Sequence, residues 1–310
     1  MSFTAKDVKE LREATGVGMM DCKKALTECS GNMENAIAYL REKGLAAAQK
    51  KAGRITAEGM AYATVIDGVG VVVEVNAETD FVAKNEKFID FVEGIAKTVA
   101  ATAHNEVEEL LASKFHGLGH TVTDQLQEMI QVIGENISVR RFIRYTEGYN
   151  VPYIHAGGKI GVIVNMDVSG ISDMDAVTEL GKDIAMQIAA MRPLYLNTDA
   201  VDPEELEKEK EIQLNKAIEE NKAKNLPEDK ARQIAESMVK GRINKFYEDI
   251  CLMNQPYVKE NKLTVAKHVE NVAKQLGGQI TIKGFTRFEK GEGIEKKEDD
   301  FAAEVASMAK

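Results

Sequence analysis

The chain has 310 residues, enough for two or three domains with cores of their own. Its 40 basic and 50 acidic side chains leave a net charge of −10, which argues against a general nucleic-acid binder, because such proteins need a basic footprint to displace counterions from phosphate. Three cysteines without a CxxC pair, no apolar leader and no run near the roughly 18 apolar residues of a membrane span argue against a disulfide scaffold and a membrane protein, and lead us to expect a cytoplasmic chain.

Residues 1–53 read as short helices and are mildly basic. Thr4 with Asp7 three residues on starts the first as a capping box, and Gly16 and Gly18 break it. Residues 19–29 form a second helix, stopped by Ser30-Gly31. Asn32 caps a third, which Gly44 is expected to end, with a further helical stretch over 46–52. The period then changes from that of helices to that of strands. Residues 60–66 and 69–75, separated by Asp67-Gly68, predict a β-hairpin. Helical spacing returns from Phe88 and again over 123–133, and 140–145 alternate like a strand.

The exit from the hairpin, NAETDFVAKNEKF over 76–88, sets Phe81 and Val82 among polar residues. Phe81 stands seven residues before Phe88, so it belongs either to the core stripe of one helix or to a surface offered to something else. Met19 and Met20 pose the same alternative. Consecutive helical positions point about 100° apart, so at least one of the pair tends toward the surface, while Arg12 and Lys23 read by default as solvated charges.

Residues 159–165 echo 69–75, and a helix follows over 174–191. The repeated strand–helix order predicts two related α+β units. Residues 202–247 change character, with eleven acidic and eight basic side chains between Asp202 and Lys240. Two weak apolar stripes on either side of Asn225-Leu-Pro-Glu228 predict an antiparallel helical hairpin projecting roughly 30 Å. A strand over 280–288 and a short helix over 301–308 complete the chain.

No catalytic constellation emerges. Gly157-Gly-Lys159 lacks the leading glycine and the Ser/Thr of a phosphate loop. His116 and His120 are four apart, but glycines separate them and no HExxH glutamate is present, so we expect loop histidines and no metal or cofactor. Cys22 and Cys29 read as small hydrophobes. An acidic, multi-part chain with an odd aromatic and a helical arm fits a protein that grips another macromolecule. A helical adaptor and a small-molecule enzyme are the rival classes.

The stretch from Leu11 to Leu26 (LREATGVGMMDCKKAL) resembles the N-terminal signature of bacterial elongation factor Ts, and TDFVAK at 79–84 resembles the second signature of that family. GENI at 134–137, KIGV at 159–162, QPYV at 255–258 and GEGIEK at 291–296 resemble further landmarks in the same order. The resemblance implies an α+β protein with a ubiquitin-associated-like (UBA-like) three-helix head over 1–53 and a core subdomain over 54–145. A second core subdomain over 146–290 carries a coiled-coil insertion at 202–247, and a C-terminal helical module occupies 291–310. It implies a guanine-nucleotide exchange factor for elongation factor Tu that does no covalent chemistry and touches neither nucleic acid nor membrane, and it admits a 2:2 assembly with the partner. Carried over, Asp80 and Phe81, flanked by Thr79 and Val82, enter the partner's nucleotide-binding domain beside its magnesium site. Arg12, Met19, Met20 and Lys23 grip the same domain, Ile133 and Gly134 approach its phosphate loop, and His155 touches its third domain.

Overall fold

A computed structural model describes residues 3–222 and 228–295. Three helices open the chain: α1 (Ala5–Thr15), α2 (Met19–Glu28) and α3 (Met33–Lys51). The Thr4–Asp7 capping box forms, and α1 ends at Gly16 in the left-handed region with φ 69°. Ser30 and Gly31 are also left-handed, which stops α2. Leu11, Cys22, Leu26, Ala36 and Leu40 bury between the three helices. Gly44 does not end α3, contrary to expectation, and the helix runs on seven residues to Lys51. A glycine in a helix interior costs only about 1 kcal/mol relative to alanine. Here its bare backbone lets Gln131 of the later helix α6 (Val122–Ile133) approach, since a Cβ on Gly44 would stand 2.6 Å from the Gln131 Oε1.

The predicted hairpin forms between β1 (Glu58–Ile66) and β2 (Val69–Ala77), and β3 (Ile137–Tyr145) pairs antiparallel to β2. Asp67 and Gly68 both take positive φ, 50° and 82°, the primed turn that matches strand twist. Both faces of β2 are covered, so even its polar Glu74 and Asn76 are buried. Val71, Val73 and Val75 meet α4 (Glu86–Ala101), α5 (Val107–Ala112) and α6 in one core, while Val72, beside its ladder partner Ala63, faces Ile163 of a second sheet.

That second sheet repeats the plan. β4 (Tyr149–His155) and β5 (Ile160–Ser169) form the hairpin, α7 (Met174–Met191) lies on it, and β8 (Gln279–Glu289) adds the third strand, in the order β4-β5-β8. Between α7 and β8 stand α8 (Pro203–Lys222), α9 (Glu228–Ile250), the short pair β6 (Pro256–Tyr257) and β7 (Glu260–Thr264), and α10 (Val265–Gln275). Helices α8 and α9 pack on each other, with Ala217, Ala235 and Ile243 buried and Arg242 2.7 Å from Glu220. Their base is stitched to the rest of the chain: Leu194 and Tyr195 both donate their N–H to Ile250 O, at 2.8 and 3.0 Å. The whole is α+β with antiparallel sheets. The helix expected over 301–308 lies outside the described residues.

A buried carboxylate joins the parts. Glu74 on β2 has no exposed surface and receives Arg140 at 3.0 Å, Arg141 at 2.5 Å, the Asn76 amide at 3.1 Å and the backbone N–H of Gly291 at 2.8 Å. Gly291 lies two residues past the end of β8 and takes φ 69°; a side chain there would strike the Ala57 carbonyl at 2.1 Å.

Candidate functional site

The turn after β2 is short and heavily determined. Ala77 makes the last ladder pair, opposite Ile137. Phe81 then leads into a single 3-10 turn, Val82–Lys84, and Asn85 breaks to extended backbone at φ −78°, ψ 125° before its side chain caps α4. Phe81 and Phe88 are therefore not on one helix. Phe88 is sealed in the core, whereas the Phe81 ring is 78% exposed, which removes the core-stripe alternative. Val82 points the other way and is buried in the first core, so one residue anchors the turn while its neighbour projects. Asp80 is exposed beside Phe81.

Thr79 is held from outside its own loop. Its N–H and its hydroxyl both donate to the Glu135 carboxylate, at 2.9 and 2.7 Å. Glu135 follows Gly134, the left-handed C-cap of α6 with φ 87°. Lys51, the last residue of α3, donates to the Gly134 carbonyl at 2.6 Å. Thr79 and Gly134, 55 positions apart, are thereby bridged through Glu135. Ile133 is half-buried beside them.

The helical head reaches the same place. A Cβ on Gly16 would stand 3.2 Å from the Lys87 Nζ and 3.4 Å from Val132, and a shallow cleft lined by Gly16, Asn85, Glu86, Lys87, Val132 and Ile133 runs between head and core. Just beyond Gly16, Met19 and Met20 open α2 with 51% and 74% of their surface exposed. The sequence predicts at least one of them at the surface, and both are there. Arg12 and Lys23 are exposed as well. Met19, Met20 and Phe81 are each exposed, and Ile133 lines the cleft between head and core. His155 is not part of it. It ends β4 in the second sheet, where the Tyr153 hydroxyl lies 2.9 Å from its Nδ1.

Other titratable groups are occupied structurally. His120 Nε2 bonds Gln125 at 2.6 Å. Burial pushes the Cys22 and Cys251 thiols above their ordinary values, so little thiolate forms at neutral pH. Among the described residues no cluster of three or more metal-ligating side chains occurs, and no helix is long and apolar enough to cross a membrane.

A family model described as Elongation factor TS matches residues 78–292, more than half of the chain. The chain belongs to the elongation factor Ts family. Elongation factor Ts of Syntrophotalea carbinolica is 49% identical over 312 residues, covering all of both chains. Those of Clostridium perfringens, strain 13, and Trichlorobacter lovleyi are 51% and 49% identical, with at least 99% of each chain covered. The elongation factor Ts match begins at Glu78 and closes at Glu292, so the exposed aromatic turn lies within it, while Glu74 lies just before it. Glu74, Glu78 and Glu135 escaped the sequence reading. Each is one carboxylate among 50 acidic residues, and apart from Asn76 beside Glu74 its partners stand 24 or more positions away.

Proposed function

We propose that the chain is a guanine-nucleotide exchange factor that binds elongation factor Tu·GDP and speeds the loss of GDP during translation elongation. Family membership supports the reading, and the exposed Phe81 on its braced turn is the observation that carries it. An exchange factor makes and breaks no covalent bond. It binds the nucleotide-free partner better than the nucleotide-bound one, and by linkage factor and GDP weaken each other by the same ratio. Each tenfold loosening requires about 1.4 kcal/mol of differential binding, which a broad interface with one large aromatic anchor supplies.

In this mechanism the head, over 1–53, docks through Arg12, Met19, Met20 and Lys23. The core unit over 146–290 docks through His155. Phe81 then wedges two helices of the partner apart, and Asp80 holds the displaced arrangement, with Thr79 and Val82 fixing the turn. Ile133 and Gly134 press on the phosphate side. Magnesium demands near-ideal octahedral geometry, so displaced ligands release it, and the GDP phosphates lose their counter-charge. GTP then binds and ejects the factor. The α8–α9 pair serves as a coiled-coil arm.

Stopped-flow release of a fluorescent GDP from elongation factor Tu tests the wedge. Phe81→Ala removes an exposed ring and leaves the core intact, so the chain folds and still docks. Its maximal acceleration falls by roughly 30-fold or more, the scale of losing one hot-spot aromatic. Unchanged acceleration overturns the wedge.

A further inference from the structure

Beyond the last ladder pair of β2 and β3, two carboxylates cross in opposite directions. Glu135 accepts the N–H and hydroxyl of Thr79, and Glu78 accepts the N–H of Asn136 at 2.6 Å while Arg54 approaches it at 3.3 Å. Each loop therefore satisfies a backbone donor of the other with a charged acceptor, the stronger kind of hydrogen bond. Asn136 adds a bond from its amide to the Arg54 carbonyl at 2.9 Å. Phe81 lies two residues past Thr79, and Ile133 lies two residues before Glu135.

We propose that Glu135 is a positioning residue for exchange: it fixes Thr79 and so holds the exposed Phe81 ring in its projecting pose. This rests on the exchange reading above. An aromatic on a loose turn spends most of its time in other orientations, and ordering it at the interface subtracts from the binding difference that drives release. The Glu135 clasp settles that orientation before the partner arrives. Glu78, bound from the opposite side, holds the 134–136 loop in the same way, so the two loops meet the partner as one unit.

The test compares the wild-type chain with Glu135→Ala, Glu135→Gln, Phe81→Ala and the double variant. The readouts are GDP release from elongation factor Tu over a range of factor concentrations and amide hydrogen exchange of the free chains. Glu135→Ala should lower the maximal acceleration about tenfold while the half-effect concentration shifts less than about twofold. Glu135→Gln keeps an acceptor and should recover most of the loss. In the Phe81→Ala background, removing Glu135 should cost nothing further, because it acts through the ring. Exchange at the Thr79 amide should quicken about tenfold or more in Glu135→Ala, with the β2 amides unchanged as proof of folding. A wild-type maximal rate for Glu135→Ala, an equal loss in both backgrounds, or an unchanged Thr79 amide each overturns the proposal. If the wild-type chain fails to accelerate release, the exchange reading falls, and the Thr79 amide alone decides the clasp.

Discussion

Two glycines in helices show how little a residue's identity says without its neighbour. Gly44 and Gly94 both sit inside helices, α3 and α4, where glycine costs helix propensity. A Cβ on Gly44 would meet only the far end of the Gln131 side chain, which rotates aside. Gly44→Ala should therefore raise stability by up to about 1 kcal/mol, the helix-propensity gain. A Cβ on Gly94 would stand 2.1 Å from the Phe115 ring, which is stacked on Phe91 at 5.9 Å within the first core. That ring cannot move without displacing the core, so Gly94→Ala should cost about 1–3 kcal/mol despite its better propensity. Urea titrations of both variants decide the matter; opposite shifts of the midpoint are the expected outcome. The exposure of Phe81 is the same lesson at the candidate site. Spacing from Phe88 left its placement open, and Asn85, by breaking the backbone and capping α4, settled it.

At the scale of elements, those with a self-contained signal were legible. The β1–β2 hairpin has its Asp-Gly turn, and α7 matches its expected bounds of 174–191. Missed were β4, whose Pro152 and short alternation disguise it, the single-turn-scale α5, the two-residue β6, and α10. Only three residues of α10, Val265, Val269 and Ala273, are buried, so its stripe is thin in a polar sequence. The helix also carries a pH-sensitive contact. His268 stacks on Tyr257 at 4.0 Å between centroids, and burial lowers its pKa below the ordinary 6.5; Asp183 and Glu260 oppose the shift and Lys259 reinforces it. The folded chain thus prefers the neutral imidazole. Below pH 6.5 the unfolded chain binds the proton first, so stability falls as pH drops toward the lower folded value. His268→Phe keeps the ring stack and removes the titration. Its loss of stability between pH 7.5 and pH 5, read from urea midpoints, should be smaller than that of the wild type; an equal loss would acquit His268.

At the scale of the molecule, the question is what holds the strand that feeds Phe81 against the sheet that ends in His155. The apolar cluster between the sheets centres on Ala63, Val72 and Ile163, with Val65, Tyr145 and Phe288 at its edge. Glu74 supplies the directional part. Its carboxylate is wholly buried, yet Arg140 and Arg141 keep 28% and 33% of their side-chain surface exposed, so water shares the cost of burying the cluster. The two arginines also reach past Glu74 to the end of β8 and the segment after it: Arg140 donates to the Glu292 carbonyl at 2.6 Å, and Arg141 lies over the Phe288 ring at 4.2 Å. No periodicity or motif announces such a junction, because its members come from β2, β3 and the end of β8. Glu74→Gln substitutes a neutral amide whose NH2 faces donors. Removing one partner from a fully buried pair costs about 3–5 kcal/mol, and the part-exposed guanidiniums reduce that to about 3 kcal/mol. Glu292→Gln, a change at a half-exposed carboxylate, should cost under about 1 kcal/mol. Urea denaturation of the two variants at neutral pH separates a junction from an ordinary surface pair. Equal, small losses would mean that the sheets are held by their apolar contact alone, and that Glu74 is merely tolerated where it lies.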